Sequence, residues 1–164
     1  MQRSIIAGLL AFGIAATAPA FAALSSDDAS FVQSADHEAL GEYALAALAR
    51  GKAESPAAKS LATEVATDST QASDFIRTFA KTNDVAIDDK PSLRADTQYG
   101  EIQSDTGSSF DRGFARSLRI DATIAESDYQ DEAAHGSNPQ LRSFAKHELE
   151  YLEKVVSAAS KIAP

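Results

Sequence analysis

The sequence of 164 residues contains no cysteine and no tryptophan. Without cysteine the chain cannot form disulfides, thiolate metal ligands or a thiolate nucleophile. The same absence excludes a lipid anchor attached through a thiol. Side-chain packing must therefore supply the stability of the fold.

Basic residues are scarce, since 15 Lys and Arg against 24 Asp and Glu give a formal net charge of −9. Affinity for nucleic acids comes largely from clustered Lys and Arg, and anionic lipid attracts the same residues. The composition therefore excludes nucleic acid as a partner class. A protein or a cationic ligand is compatible with such an acidic chain, but no sequence feature identifies a partner.

Catalytic motifs are missing as well. The chain has no glycine-rich phosphate loop and no Gly-x-Ser-x-Gly turn. Its three histidines, His37, His135 and His147, form no pair at a spacing of three or four residues, so the sequence predicts no zinc-binding helix. We expect all three to be structural or surface residues, and we expect no catalytic residue and no cofactor.

The N-terminus has the layout of a secretory signal peptide. Arg3 precedes an apolar run over residues 5–16, and Ala20 and Ala22 are small residues at the two positions that a signal peptidase reads. We predict a signal peptide over residues 1–22 and a domain over residues 23–164. The mature chain would be a periplasmic or secreted bacterial protein that does not span the membrane. A retained membrane anchor is the alternative.

Four long segments of the mature chain show helical periodicity, over residues 27–50, 55–82, 108–135 and from 138 almost to the C-terminus. Residues typical of helix ends bound these segments. The start signals are Ser25, Ser55 with Pro56, Ser108 with Asp111, and Asn138 with Pro139. The stop signals are Gly51, Asn83 and Gly136. The pattern predicts an all-α fold, an antiparallel four-helix bundle.

The long connection over residues 84–106 separates the second and third of these helices. A loop of that length without secondary structure is uncommon in a compact domain, so we predict a short helix that starts at Pro91. The only β-favouring triplet is Val85, Ala86 and Ile87, which is too short to predict a strand.

Each predicted long helix carries an acid on or beside its apolar stripe, namely Glu42, Asp68, Asp121 and Glu148. A buried carboxylate must be paired, bound to metal or neutral, because an isolated buried charge is very costly. We expect these acids to lie at the edge of the stripe and to reach water or a basic side chain. The alternative is a metal site made of oxygen ligands only, which favours calcium, magnesium or manganese.

A longer set of residues, which includes three of these acids, carries a family resemblance that covers the whole mature chain. Its most specific part is the stretch over residues 107–114, and the full pattern is Phe31, Ala35, Leu40, Glu42, Leu48, Ala49, Ala62, Val65, Asp68, Gly107, Phe110, Asp111, Arg112, Phe114, Leu118 and Asp121. The pattern resembles the exported bacterial family catalogued as domain of unknown function 4142. The resemblance implies a ferritin-like four-helix bundle.

The chain departs from the family pattern at three positions where the family has histidine: Ser69, Ala122 and Val155. These departures put any metal or proton chemistry of the relatives in doubt here. We therefore expect a soluble, exported, non-enzymatic protein, a stress-related or interaction module. The alternative is a ferritin-like protein that binds a divalent metal or performs redox chemistry through the four inward acids.

Overall fold

The computed structural model describes residues 24–164, and the predicted signal peptide lies outside them. The described chain is all-α, as predicted, and contains no strand. Its five helices are α1 (Ser26–Lys52), α2 (Pro56–Thr82), α3 (Leu93–Ile102), α4 (Gly107–His135) and α5 (Pro139–Ile162).

Local cap signals determine most of the helix starts. The Ser55 hydroxyl accepts from the Ala58 amide at 3.2 Å, directly before Pro56 opens α2. The Asn138 side chain accepts from the Gln140 amide at 2.8 Å in the same way at α5. These interactions satisfy amides that have no partner within the first turn of a helix.

Two predicted helix stops are wrong. Gly51 lies inside α1, which continues to Lys52 because the Ala53 amide still donates to the Ala49 carbonyl at 2.8 Å. Asn83 has φ −109° and not a left-handed conformation, which Asp84 adopts instead with φ +55°. Asp and Asn are both enriched in this conformation, so composition alone did not distinguish the two neighbours.

The predicted pairing of Ser108 with Asp111 at the start of α4 is also wrong. The residue before that helix is Thr106, whose side chain makes no capping hydrogen bond. The Asp111 carboxylate instead accepts from the backbone amides of Glu54 and Ser55 at 3.1 and 2.8 Å. It therefore fixes α4 against the loop between α1 and α2.

The short helix predicted to start at Pro91 is α3, which begins two residues later, at Leu93. The Ser92 hydroxyl accepts from the Ala95 amide at 3.2 Å and caps it. The helix packs against α1 at Gly41, where any side chain would collide with Ala95. This close approach places Arg94 beside the interior of the molecule.

The long helices pack most extensively as two pairs, α1 with α2 and α4 with α5, and α1–α4 and α2–α5 contacts join the pairs. The interior contains two apolar clusters. One is centred on Phe110 and Phe114, and the other on Phe31, Ile76 and Leu141. No helix among the described residues is long and apolar enough to cross a bilayer.

Candidate metal centre

Polar residues occupy the junction between the two apolar clusters. Along α1, Glu42 lies between Ala39 of one cluster and Leu45 of the other. On α4, Asp121 separates Leu118 from Ala122 in the same manner. The helices therefore bring carboxylates into the interior at one level of the molecule.

Three of the four acids singled out from the sequence are buried: Glu42, Asp121 and Glu148. Asp68 is half-buried. The expectation that they only edge the apolar stripe is therefore wrong for Glu42 and Glu148. Helical periodicity places a residue on a face, but it does not show how deeply a neighbouring helix covers that face.

Glu42 is at the centre of the carboxylate group. Burial raises its pKa well above the ordinary value, and the charges of Glu38, Asp121, Glu148 and Asp68 raise it further. These surroundings favour the neutral form of Glu42, because bringing several negative charges together in the interior is unfavourable.

Ser69 on α2 lies beside Glu42. Its hydroxyl donates to the Val65 carbonyl at 2.7 Å and lies 3.4 Å from Glu42 Oε2. A hydroxyl has a single proton. Because Ser69 donates that proton to the Val65 carbonyl, its oxygen can accept a hydrogen bond from a protonated Glu42. The local hydrogen bonding thus agrees with the raised pKa.

Asp121 is balanced by a cation that the sequence did not reveal. Arg94 Nε donates to Asp121 Oδ1 at 2.6 Å, and the same guanidinium donates to Glu38. Burial raises the pKa of both acids, and Arg94 opposes the shift in each case. This part of the group is therefore occupied by an internal ion pair.

Among the described residues, Glu148 has no cation comparable to the Arg94 that pairs with Asp121. Burial raises its pKa to about 8, and the charge of Asp68 contributes in the same direction. Burial also raises the pKa of Asp68, although His147 and Lys154 oppose that shift. At neutral pH, Glu148 is therefore largely protonated when no additional positive charge is present.

Asp68, His147 and Glu148 bring one ligand atom each to within 4.8 Å of one another. Asp68 Oδ2 is buried and has no hydrogen-bond partner among the described residues. His147 is exposed, so its imidazole is free to turn toward the two acids. The donor set is one nitrogen and two carboxylates, all of which bind divalent transition metals.

The spacing fits a metal ion after small side-chain rotations. Nitrogen and oxygen ligands bind zinc at about 2.0–2.2 Å, so two of them on one ion are at most about 4.4 Å apart. A groove of about 350 Å³ borders Asp68 and Tyr151 on one side of the group. The Tyr151 hydroxyl is buried and has no hydrogen-bond partner among the described residues.

The family model for a domain of unknown function, DUF4142, matches residues 14–162. The chain belongs to the DUF4142 family. Comparison with curated proteins and with solved structures gives no significant match. Since the family's description names neither a ligand nor an activity, the function of this DUF4142 member has to be inferred from its geometry.

All three positions where the resemblance leads one to expect histidine are buried in this DUF4142 protein: Ser69, Ala122 and Val155. Ser69 lies next to the carboxylate group, with its hydroxyl 3.4 Å from Glu42 Oε2. The imidazole near the group belongs to His147, on a different helix, α5.

The two other histidines lie elsewhere. His37 Nε2 is 2.9 Å from Asp88 Oδ1 in the connection between α2 and α3. His135 Nδ1 is 2.9 Å from Asp131 Oδ1 one turn earlier on α4, and both side chains are exposed. The structural role expected for these two residues agrees with these contacts.

Further buried acids were missed in the sequence, and most of them are satisfied. Asp36 accepts from Arg77 Nε and Nη2, both at 2.9 Å, and from Ser73 Oγ at 3.1 Å. Asp28 accepts from the Ser137 amide at 2.9 Å. These carboxylates connect elements that are far apart in the sequence, so no local sequence pattern predicts their burial.

Proposed function

We propose that this protein binds one divalent transition-metal ion through Asp68, His147 and Glu148. The observation that carries the proposal is the convergence of their three ligand atoms within 4.8 Å. The unpartnered Oδ2 of Asp68 supports it, because a buried oxygen without a donor is costly unless something binds it.

A bound cation would also stabilise charges that the fold otherwise leaves uncompensated. It would favour the ionised forms of Glu148 and Asp68 and partly offset the charge around Glu42. Asp121 already has Arg94 as its partner. The proposed ligand set is therefore narrower than the four acids considered from sequence, with Glu42 as a neighbouring carboxylate.

The donor set favours a particular class of ion. Carboxylate and water ligands alone suit calcium, magnesium or manganese, whereas an imidazole shifts the preference toward zinc, iron and related ions. His147 supplies that imidazole. Zinc and manganese are therefore the informative pair of ions to compare, and we expect zinc to bind more tightly.

We further propose that the domain is an antiparallel four-helix bundle of the ferritin-like kind. Three-residue connections between α1 and α2 and between α4 and α5 support this arrangement, since short loops join antiparallel neighbours. The extensive packing within these two pairs supports it as well.

We place the protein outside the cytoplasm, in the periplasm or secreted, on the strength of the signal-like N-terminal sequence. The proposed role is metal binding by a non-enzymatic protein, and no catalytic residue is assigned. A stress-related or interaction module without metal is the alternative, and it predicts no ion at this site.

Isothermal titration calorimetry of the metal-free purified protein with zinc chloride at pH 7.5 tests the proposal. We expect one saturable site per chain. Asp68→Asn, His147→Ala and Glu148→Gln should each weaken it about tenfold or more, because loss of a charged or coordinating contact removes over 1 kcal/mol.

His135→Ala is the matched control, since it removes an exposed histidine away from the group. It should leave zinc affinity unchanged. Absence of a saturable site, or equal weakening by His135→Ala and His147→Ala, would overturn the metal proposal. A manganese titration run in parallel tests the expected preference for zinc.

A further inference from the structure

The connection between α4 and α5 is held from two sides. On the α1 side, Asp28 Oδ1 accepts from the Ser137 amide at 2.9 Å, and Asp28 Oδ2 accepts from the Ser137 hydroxyl. On the α5 side, Arg142 Nη1 donates to the carbonyls of Gly136 and Ser137 at 2.7 and 3.1 Å. Asp28 is fully buried, so the start of α1 is joined to this connection through an internal carboxylate.

Glu132, in the last turn of α4, is tucked beside this connection. It is only 5% exposed, and its carboxyl group packs against Gly136, where any side chain would collide with it. Its Oε1 is buried and has no hydrogen-bond partner among the described residues. The tucked position therefore suits a neutral carboxyl group better than an ionised one, because an unpaired buried charge is very costly.

The charges that face Glu132 also favour its neutral form. Burial and the charge of Asp28 on α1 raise the pKa of Glu132 to about 7, and Asp131 on α4 adds to the shift. Arg142 on α5 opposes the shift, but its Nη1 donates to the carbonyls of the connection. The other titratable side chains that line the cavity beside Glu132 are Asp27, Asp128 and His135.

That cavity gives an ionised Glu132 a place to move. It lies between the first turns of α1 and the last turns of α4 and has a volume of about 470 Å³. A turn of the side chain into this cavity would leave a void beside Gly136, and voids in a packed interior are destabilising. It would also bring negative charge among the aspartates of the cavity, including the Asp28 that holds Ser137.

We propose that the junction of Asp28, Glu132, Gly136 and Ser137 is a pH-sensitive latch. With Glu132 protonated the latch is closed, since the carboxyl group stays against Gly136 while Asp28 holds Ser137. Ionisation of Glu132 turns its side chain into the cavity, and the connection over residues 136–138 then separates from α1. The latch uses none of the proposed metal ligands and does not depend on a bound ion.

The direction of the pH dependence follows from the two pKa values of Glu132. In the closed latch the carboxyl group keeps its proton up to about pH 7, whereas an opened Glu132 releases it near the ordinary value of 4.5. Opening therefore becomes more favourable as pH rises, and the closed form is favoured at low pH. Between pH 6 and pH 8 this difference raises the opening equilibrium constant about tenfold.

Hydrogen exchange at the Ser137 amide, which donates to Asp28, tests the latch. Its protection factor, corrected for the intrinsic pH dependence of exchange, should fall about tenfold between pH 6 and pH 8 in the wild-type protein. Glu132→Gln cannot ionise and should show no such fall. Glu126→Gln is the matched control, because it removes an equal charge from an exposed position on the same helix, and it should behave as the wild type.

His135→Gln is the second control, because histidine also changes charge near this pH range. It should keep the fall in protection. In the wild-type protein, NMR should show the Glu132 carboxyl carbon and the Ser137 amide titrating together with a midpoint near pH 7. A Ser137 protection factor that stays constant from pH 6 to pH 8 would overturn the proposal. A fall that persists in Glu132→Gln, or that disappears in His135→Gln, would overturn it as well, since another group would then be titrating.

Discussion

Glu148 is a proposed metal ligand whose pKa is strongly raised by burial. Its pKa of about 8 in the folded chain is far above the ordinary glutamate value of 4.5. Between these values the folded protein holds a proton that the unfolded chain has released. As pH rises through that interval, the free energy of unfolding of the metal-free protein therefore falls.

The first prediction follows from that difference. In the presence of EDTA, the wild-type protein should lose stability as pH rises from about 5 to 8, whereas Glu148→Gln should lose less. The variant should be the more stable of the two above pH 8, by up to about 5 kcal/mol, since the pKa difference is about 3.5 units and each unit corresponds to about 1.4 kcal/mol. Urea unfolding across this pH range measures the effect.

Glu153→Gln on the exposed side of α5 is the control for that measurement. Its pH profile should follow the wild type. If Glu148→Gln also follows the wild type at every pH, then Glu148 is not a buried acid with a raised pKa.

At the residue level, the sequence revealed the acids but not their partners. Glu42, Asp68, Asp121 and Glu148 were recognisable because they interrupt apolar stripes. Their surroundings depend on contacts between helices distant in the sequence. No local pattern could indicate that α3 would bring a guanidinium to Asp121, or that an exposed histidine of α5 would face α2.

Among the elements, helix ends show the same division between local and distant causes. The starts at Ser55 and Asn138 were predictable, because the cap residue and the amide it binds lie within three residues. Asp111 was misassigned because its donors, the amides of Glu54 and Ser55, are more than fifty residues away. Cap propensity describes local chemistry and cannot anticipate such a bond.

The second prediction tests that long-range contact. Asp111→Ala should destabilise the fold by about 1–3 kcal/mol, because it leaves two backbone amides near the start of α2 without their acceptor. Chemical denaturation measures the change. The exposed Asp74→Ala on α2 should cost less than about 0.5 kcal/mol. An Asp111→Ala variant as stable as that control would show that the contact contributes little.

For the whole molecule, the all-α class and the long helices followed from periodicity. The interior did not, since two apolar clusters meet at a level occupied by carboxylates. Buried polar groups of this kind reduce stability unless they are compensated. A cation bound beside these carboxylates would supply that compensation.

The third prediction concerns the compartment. If residues 1–22 are a signal peptide, then the protein recovered from bacterial cells should begin at Ala23 or within a few residues of it. Intact-mass measurement of the periplasmic fraction determines the N-terminus. Full-length protein found in the inner membrane would indicate a retained anchor instead.

The most direct test of the metal proposal is anomalous diffraction at the zinc absorption edge from crystals grown with zinc. The account predicts a peak between Asp68, His147 and Glu148, at about 2.0–2.2 Å from the His147 nitrogen and from a carboxylate oxygen of each acid. Zinc found only at other positions, or no peak at this one, would contradict it.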